Sequence, residues 1–242
     1  MRHDGRKPDE LRPLKFQRRF TRQAAGSVLV RTGRTTVLCT CSVELTVPPF
    51  LLGRGKGWLS AEYSMLPGST GTRKPRDRAG KIDGRSVEIQ RLIGRSLRAV
   101  VDLDRLGERT LWIDCDVLDA DGGTRTAAIN GAYVALVDAL EARRDLFGAA
   151  AGIVRGSVAA VSVGLLNEVE LLDLDYFEDK DVDVDFNLVM SGAGEFIEVQ
   201  GSGEEATFNR GQLDRLLNLG KVGVDAISAA QREALGPTWP LR

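Results

Sequence analysis

The sequence is poor in the residues that usually run nucleophilic and zinc chemistry. It has one histidine, His3, close to its first residue, and three cysteines, Cys39, Cys41 and Cys115. A Ser-His-Asp or Cys-His system needs an imidazole in a rigid frame, and a residue so near a terminus is usually poorly held. The cysteines lack the paired spacing of a zinc site and cannot build a disulfide framework, so a reduced, cytoplasmic protein is expected. Cys39 and Cys41 would share one strand face. Long apolar runs are missing, which argues against a membrane span. The opening Met1-Arg2-His3-Asp4-Gly5-Arg6 leads into more charge rather than an apolar core and does not read as a secretory signal. An excess of one charge is missing too. With 33 basic against 34 acidic residues, net −1, any hold on a polyanion must come from local clusters.

What remains is Arg, Lys, Asp, Glu, Thr and backbone amides. That set suits phosphoryl chemistry with a hard cation.

The chain reads as one α+β domain. Alternation predicts a hairpin, Ser27–Arg31 and Thr36–Glu44, turning through Thr32-Gly33-Arg34, then a short strand over Gly57–Tyr63. Pro67–Lys81 is rich in Gly, Ser, Thr and Pro and reads as a long loop. Residues 85–101 place Val87, Ile89, Leu92, Ile93, Leu97 and Val100 at helical spacing, with Arg91, Arg95 and Arg98 opposite. A strand over Leu111–Leu118 leads into Asp121-Gly122-Gly123 and a helix from about Thr124 to Glu141. Strands follow at Ser157–Leu165, Val169–Phe177, Asp183–Met190 and Glu195–Gln200, then two helices near Gly211–Leu219 and Gly223–Leu235. Gly26-Ser27-Val28 and Gly156-Ser157-Val158 begin similar blocks, which hints at a duplication.

Three clusters can carry chemistry. Asp121-Gly122-Gly123-Thr124-Arg125-Thr126 lies between a strand and a helix. Unpaired amides at a helix N-terminus, close approach at glycine, a hydroxyl and a guanidinium make a phosphate cradle. A tight turn with a threonine N-cap gives the same pattern. The second cluster is acidic. Asp173 and Asp175 fall in one predicted strand, Glu178 and Asp179 follow, and Asp181, Asp183 and Asp185 share a face of the next. A solvated acidic face accounts for most of these, but crowded carboxylates also suit Mg²⁺. The third is the loop, with Arg73, Lys74, Arg76, Arg78 and Lys81 against Asp77. It offers phosphate contact but no aromatic ring for stacking, and a solvated loop is the plain alternative.

Together these segments resemble the ribonuclease PH family of bacterial phosphorolytic exoribonucleases, over nearly the whole chain. The likeness is carried by Gly57-Trp58-Leu59-Ser60-Ala61-Glu62-Tyr63-Ser64-Met65-Leu66-Pro67 and Gly84-Arg85-Ser86-Val87-Glu88-Ile89-Gln90-Arg91-Leu92-Ile93. It continues through Asp114–Thr126 and Ile197-Glu198-Val199-Gln200-Gly201, in the family's order. The resemblance implies a phosphate-dependent 3′→5′ exoribonuclease that trims tRNA precursors and other RNA 3′ ends. Inorganic phosphate is the co-substrate, nucleoside 5′-diphosphates are the products, and the reaction is reversible. It implies duplicated βαβα units, in halves of about 1–150 and 151–242, and a homo-hexamer built as a trimer of dimers. It places phosphate at Arg85, Gly123, Thr124 and Arg125. It makes Asp179 and Asp185 the catalytic pair that holds Mg²⁺ or Mn²⁺, with Asp181 and Asp183 as bystanders. RNA contact falls to Arg73 and Arg76, and to Arg78, which stands in for an arginine that the family often has where this chain has Gly68. Two rivals share the pattern: a non-catalytic ring subunit, and an RNA-binding protein without phosphorolysis. The first is disfavoured by the presence of both aspartates and both arginines.

Overall fold

The computed structural model describes residues 2–76, 83–204 and 206–241. The first half lays down β1 (Leu14–Arg18), β2 (Gly26–Thr32), β3 (Thr35–Glu44) and β4 (Trp58–Met65). Helix α1 (Gly84–Arg98), the single turn α2 (Leu103–Leu106), β5 (Thr110–Asp119), α3 (Thr124–Ala142) and the short α4 (Arg144–Phe147) follow. The second half comprises β6 (Val158–Leu166), β7 (Val169–Leu172), α5 (Tyr176–Asp181), β8 (Val184–Ser191), β9 (Phe196–Gly203) and α6 (Arg210–Leu235).

Two sheets result, in the orders β1-β2-β3-β5-β4 and β7-β6-β8-β9. All pairs are antiparallel except β4 with β5, the parallel pair whose connection carries α1. Helix α3 lies between the sheets, touching β2, β3 and β5 of one and β6 of the other. Its sequence is small and apolar around the whole circumference, and Thr124 through Leu140 are buried with the exception of Arg125. Thr126, Asn130 and Asp138 are buried polar residues within it, and the Asn130 side chain donates to Ala160 O at 2.9 Å and accepts from Ala160 N at 2.8 Å, fixing α3 to β6. Helix α6 covers a second core of Val161, Val163, Leu172, Leu188 and their neighbours. Cys39 and Cys41 are buried on the core face of β3, and Cys39 pairs across the sheet with Cys115.

The predicted hairpin, the strand from Gly57, the arginine-backed helix and the strand–turn–helix at 111–141 all form. Several details differ. The strand expected over Val169–Phe177 ends at Leu172, because Asp173 adopts a left-handed backbone (φ 56°). Asp175 then caps α5 through a capping box with Glu178, an Asp-x-x-Glu signal that the alternating carboxylates masked. Asp181 therefore ends a helix rather than sharing a strand face with Asp185. The two closing helices are one, α6, whose Gly220 and Gly223 admit Leu188, Leu172 and Val161 instead of breaking the helix. Strand β1 follows the charged N-terminal segment and was not anticipated. His3 is not loose: its Nε2 lies 2.6 Å from Asp175 Oδ2. No helix of the described residues is long and apolar enough to cross a membrane.

Candidate active site

The site forms where three elements begin or end. Helix α1 starts at Gly84, capped by the Asp83 side chain, and so presents Arg85 in its first turn. Helix α3 starts after Gly122 and Gly123, both left-handed (φ 74° and 63°). Its N-cap is Gly123, with no side-chain cap bond, so the expected threonine cap is not made. The first-turn amides of an α-helix have no partner within it and carry the positive end of its dipole. Glycine is required here for space as well as for φ. A Cβ on Gly122 would stand 2.6 Å from the Asp175 carbonyl carbon, and one on Gly123 would meet Arg12 Nη2 at 3.0 Å. The turn before α3 thus leans directly on the backbone that opens α5.

Around the turn, Thr35 Oγ1 donates to Gly122 O at 2.7 Å and accepts from Asp121 N at 2.9 Å. The Thr124 hydroxyl faces inward and accepts from the Tyr63 hydroxyl at 2.9 Å, so the threonine offers the site its amide. Arg125 projects the other way, donating to Gln200 Oε1 at 2.9 Å on β9 and lying 3.5 Å from Glu88 on α1. Gln200 also donates to Glu88 at 3.0 Å. The Ile197–Gly201 segment therefore supports the arginine that the 121–126 segment supplies.

The acidic cluster divides into two populations. Asp173, Asp175 and Glu178 are buried and already paired. Arg2 Nε donates to Glu178 Oε1 at 2.7 Å, while Arg2 also donates to Leu172 O and Asp173 O. Arg6 reaches Asp173 O at 2.9 Å. Arg12 brackets Asp173 through Nε and Nη2, at 3.0 and 2.6 Å, and donates to Asp121 O. These residues are neither a solvated face nor a cation site. His3, Asp175 and Glu178 do bring ligand atoms within 4.8 Å of one another, but guanidinium groups occupy Glu178 from two sides. Asp183 accepts from Asn167 N at 2.9 Å, away from the turn.

Asp179 and Asp185 form the second population. Asp179 lies on α5 and Asp185 on β8, opposite Gly164 and Ser202 of the flanking strands. Burial first, and then the Asp179 charge, raise the pKa of Asp185 to about 6 against the opposing pull of Arg125 and Arg85. Burial also raises the pKa of Asp179, against the pull of Arg85, Arg125 and Arg12. Asp185 Oδ1 is buried with no hydrogen-bond partner among the described residues. A desolvated, unpartnered carboxylate oxygen beside a second carboxylate is the donor set that a hard divalent cation fits.

A pocket of about 550 Å³ joins the starts of α1, α3 and α5, lined among others by Lys74, Arg85, Gly123, Thr124, Tyr176 and Asp179; Arg125 and Asp185 are not in its lining. Of the loop residues, Arg73 and Arg76 are exposed just before the break in the described chain, and Arg78 lies outside the described residues. Arg12 and Tyr176 were not singled out in the sequence. No periodicity marks Arg12, and Tyr176 was hidden in a predicted strand.

Residues 10–140 match the first domain of the 3′ exoribonuclease family, and residues 156–223 match its second. The chain is 53% identical over 247 residues to a protein of Bacillus velezensis named ribonuclease PH, covering 99% of each. It is 54% identical over 238 residues to one of the same name from Rhodopirellula baltica, covering 96% of this chain and 97% of that one. Among solved structures, rice (Oryza sativa) Rrp46 superposes with a TM-score of 0.78 at 22% identity, over 97% of this chain and 100% of that one. A chain of the Archaeoglobus fulgidus exosome with RNA bound to the active site gives 0.78 at 23%, over 94% and 91%. These two likenesses concern the fold.

Proposed function

The chain belongs to the 3′ exoribonuclease family that includes ribonuclease PH, and from that premise we infer that it is a phosphorolytic 3′→5′ exoribonuclease trimming tRNA precursors. Inorganic phosphate attacks the α-phosphorus of the terminal nucleotide. The bond to the preceding ribose 3′-oxygen breaks, and a nucleoside 5′-diphosphate leaves. The reverse reaction, from diphosphate, extends the chain.

Two anions must meet in this reaction. At about 4 Å and an effective dielectric near 20, each unit-charge pair costs about 4 kcal/mol. The observation that carries the assignment is the convergence of Arg85 and the Gly122-Gly123-Thr124 turn on the pocket that Asp179 also lines. The amides at the start of α3 and the Arg85 guanidinium hold the attacking phosphate, with Arg125 on the other side of the turn. They are in place before the reaction and stabilise charge on the phosphoryl oxygens as it shifts. Asp179 and Asp185 would hold Mg²⁺ or Mn²⁺, which would neutralise charge on the reacting phosphate oxygens. The unpartnered Asp185 Oδ1 supports that assignment.

Arg73, Arg76 and Arg78 contact RNA phosphates beyond the scissile end. The family resemblance extends the proposal to a cytoplasmic homo-hexamer, a trimer of dimers. Leu45, Phe50, Leu52 and Phe196, large and exposed in the single chain, are side chains that an assembly would cover. The test is turnover of a tRNA precursor over a phosphate titration. Cleavage should vanish as phosphate is removed, and equal release of monophosphates without it would defeat the proposal.

A further inference from the structure

The basic loop before α1 has no aromatic side chain, yet two large rings stand exposed beside the pocket. Tyr176 is 54% exposed and Phe177 58%. Both line the pocket that Arg85, Gly123 and Asp179 also line. Tyr176 opens α5 and Asp179 follows three residues later, so the two share a helix face with Cβ atoms about 5–6 Å apart. The Tyr176 amide also abuts the phosphate turn, 2.8 Å from where a Gly122 Cβ would be.

The rings are held in a row. His3, fixed by Asp175, meets Phe177 edge-on at 5.3 Å and 74°, and Phe177 meets Tyr176 at 5.8 Å and 70°. Exposed rings propped in this way beside a polar pocket are a recognition feature rather than part of a core. Stacking on an aromatic face tolerates any base, which suits an enzyme that must remove successive nucleotides whatever their identity.

We propose that Tyr176, propped by Phe177, is the stacking platform for the nucleobase of the 3′-terminal nucleotide, the one released as diphosphate. The proposal rests on the phosphorolytic assignment above. With the scissile phosphodiester between the α3 turn and Asp179, the attached ribose and base reach the neighbouring turn of α5, where Tyr176 stands.

The test is equilibrium binding of a short single-stranded oligoribonucleotide without phosphate, intact or with an abasic 3′-terminal residue. It uses the full-length wild type, Tyr176→Ala and Tyr176→Phe. The wild type should bind the abasic strand about 5- to 150-fold more weakly. Tyr176→Ala should bind both strands as weakly as the wild type binds the abasic one, and Tyr176→Phe should keep the discrimination. The salt slope should not change with Tyr176→Ala, because stacking releases no counterions. Equal binding of both strands by the wild type overturns the proposal, and that comparison does not depend on any variant folding. Retained discrimination in Tyr176→Ala also overturns it. So does a change in sedimentation with unchanged discrimination, which would make the ring an interface residue. Failure of the phosphorolytic assignment appears elsewhere, in the products of the wild type, so the two failures are told apart.

Discussion

Arg12 grips Asp173 with Nη2 2.6 Å from Oδ1 and Nε 3.0 Å from Oδ2, and the same guanidinium donates to the carbonyl of Asp121. One buried side chain thus joins the turn before α3 to the segment that opens α5. Burial alone would lower the Arg12 pKa, but the bonds and charge of Asp173 raise it, so the guanidinium stays charged. Arg12→Gln should leave Asp173 buried without its hydrogen-bonded counter-charge, with Arg6 at 3.8 Å as the remaining cation. The expected cost is about 3–5 kcal/mol, read as a lower urea midpoint. A loss within about 0.5 kcal/mol would show that the two segments do not depend on this link.

The raised pKa of Asp185 has a consequence for stability. Its protonated form contributes stability that is fully present below the ordinary 3.8 and is lost as pH rises through about 6. Without a cation, the ionised carboxylate should therefore cost on the order of 2–3 kcal/mol at about pH 8. Asp185→Asn should raise the Tm in chelator at that pH, with little effect below the ordinary carboxylate pKa. Added Mg²⁺ should raise the Tm of the wild type and not of the variant. A wild-type Tm indifferent to Mg²⁺ and Mn²⁺ would remove these carboxylates from the cation site.

The same substitution should reduce turnover by orders of magnitude while RNA binding survives. Asp183→Asn should be mild, since the Asp183 side chain accepts from the Asn167 amide, at 2.9 Å, a bond that an asparagine side chain can also accept. Equal effects from the two would show that Asp185 does not hold the special place assigned to it.

Much of this was legible in the sequence. Periodicity set out the core strands and α1, and the run from Asp121 to Thr126 placed the turn and its helix correctly because glycine and a strand–helix boundary are local signals. The division of the acidic cluster was not legible. Asp173, Asp175 and Glu178 look identical to Asp179 as a charge run, and what separates them is contact with Arg2, His3 and Arg12 from more than 160 residues away. Long-range pairing of this kind leaves no period. The continuity of α6 was hidden for a different reason: Gly220 and Gly223 are set by the side chains packed on them, not by a turn.

Lysine at Arg85 or Arg125 keeps the charge but loses the planar fork. The expected result is a higher KM for phosphate at saturating RNA, with RNA affinity nearly unchanged. Arg125→Lys should be the more disruptive to local structure, because Arg125 also holds Gln200 at 2.9 Å. An unchanged phosphate titration in both variants would take these arginines out of the phosphate site.

Replacing Arg73 and Arg76 by alanine should weaken tRNA binding without changing base preference. Each lost duplex phosphate contact should reduce the salt slope of log K by about 0.9, and a single-strand contact by about 0.7. Cleavage of a short oligonucleotide should change little. Equal losses on both substrates would move the loop into the active site.

The most direct measurement follows the nucleophile. In a reaction with isotopically labelled inorganic phosphate and unlabelled tRNA precursor, attack on the α-phosphorus makes the incoming phosphate the β-phosphate of the released nucleotide. Phosphorolysis requires the label in that position, one atom of phosphorus per nucleotide removed. Release of unlabelled monophosphates at the same rate would mean that water is the nucleophile and that the cradle at Arg85 and Gly123 serves some other end.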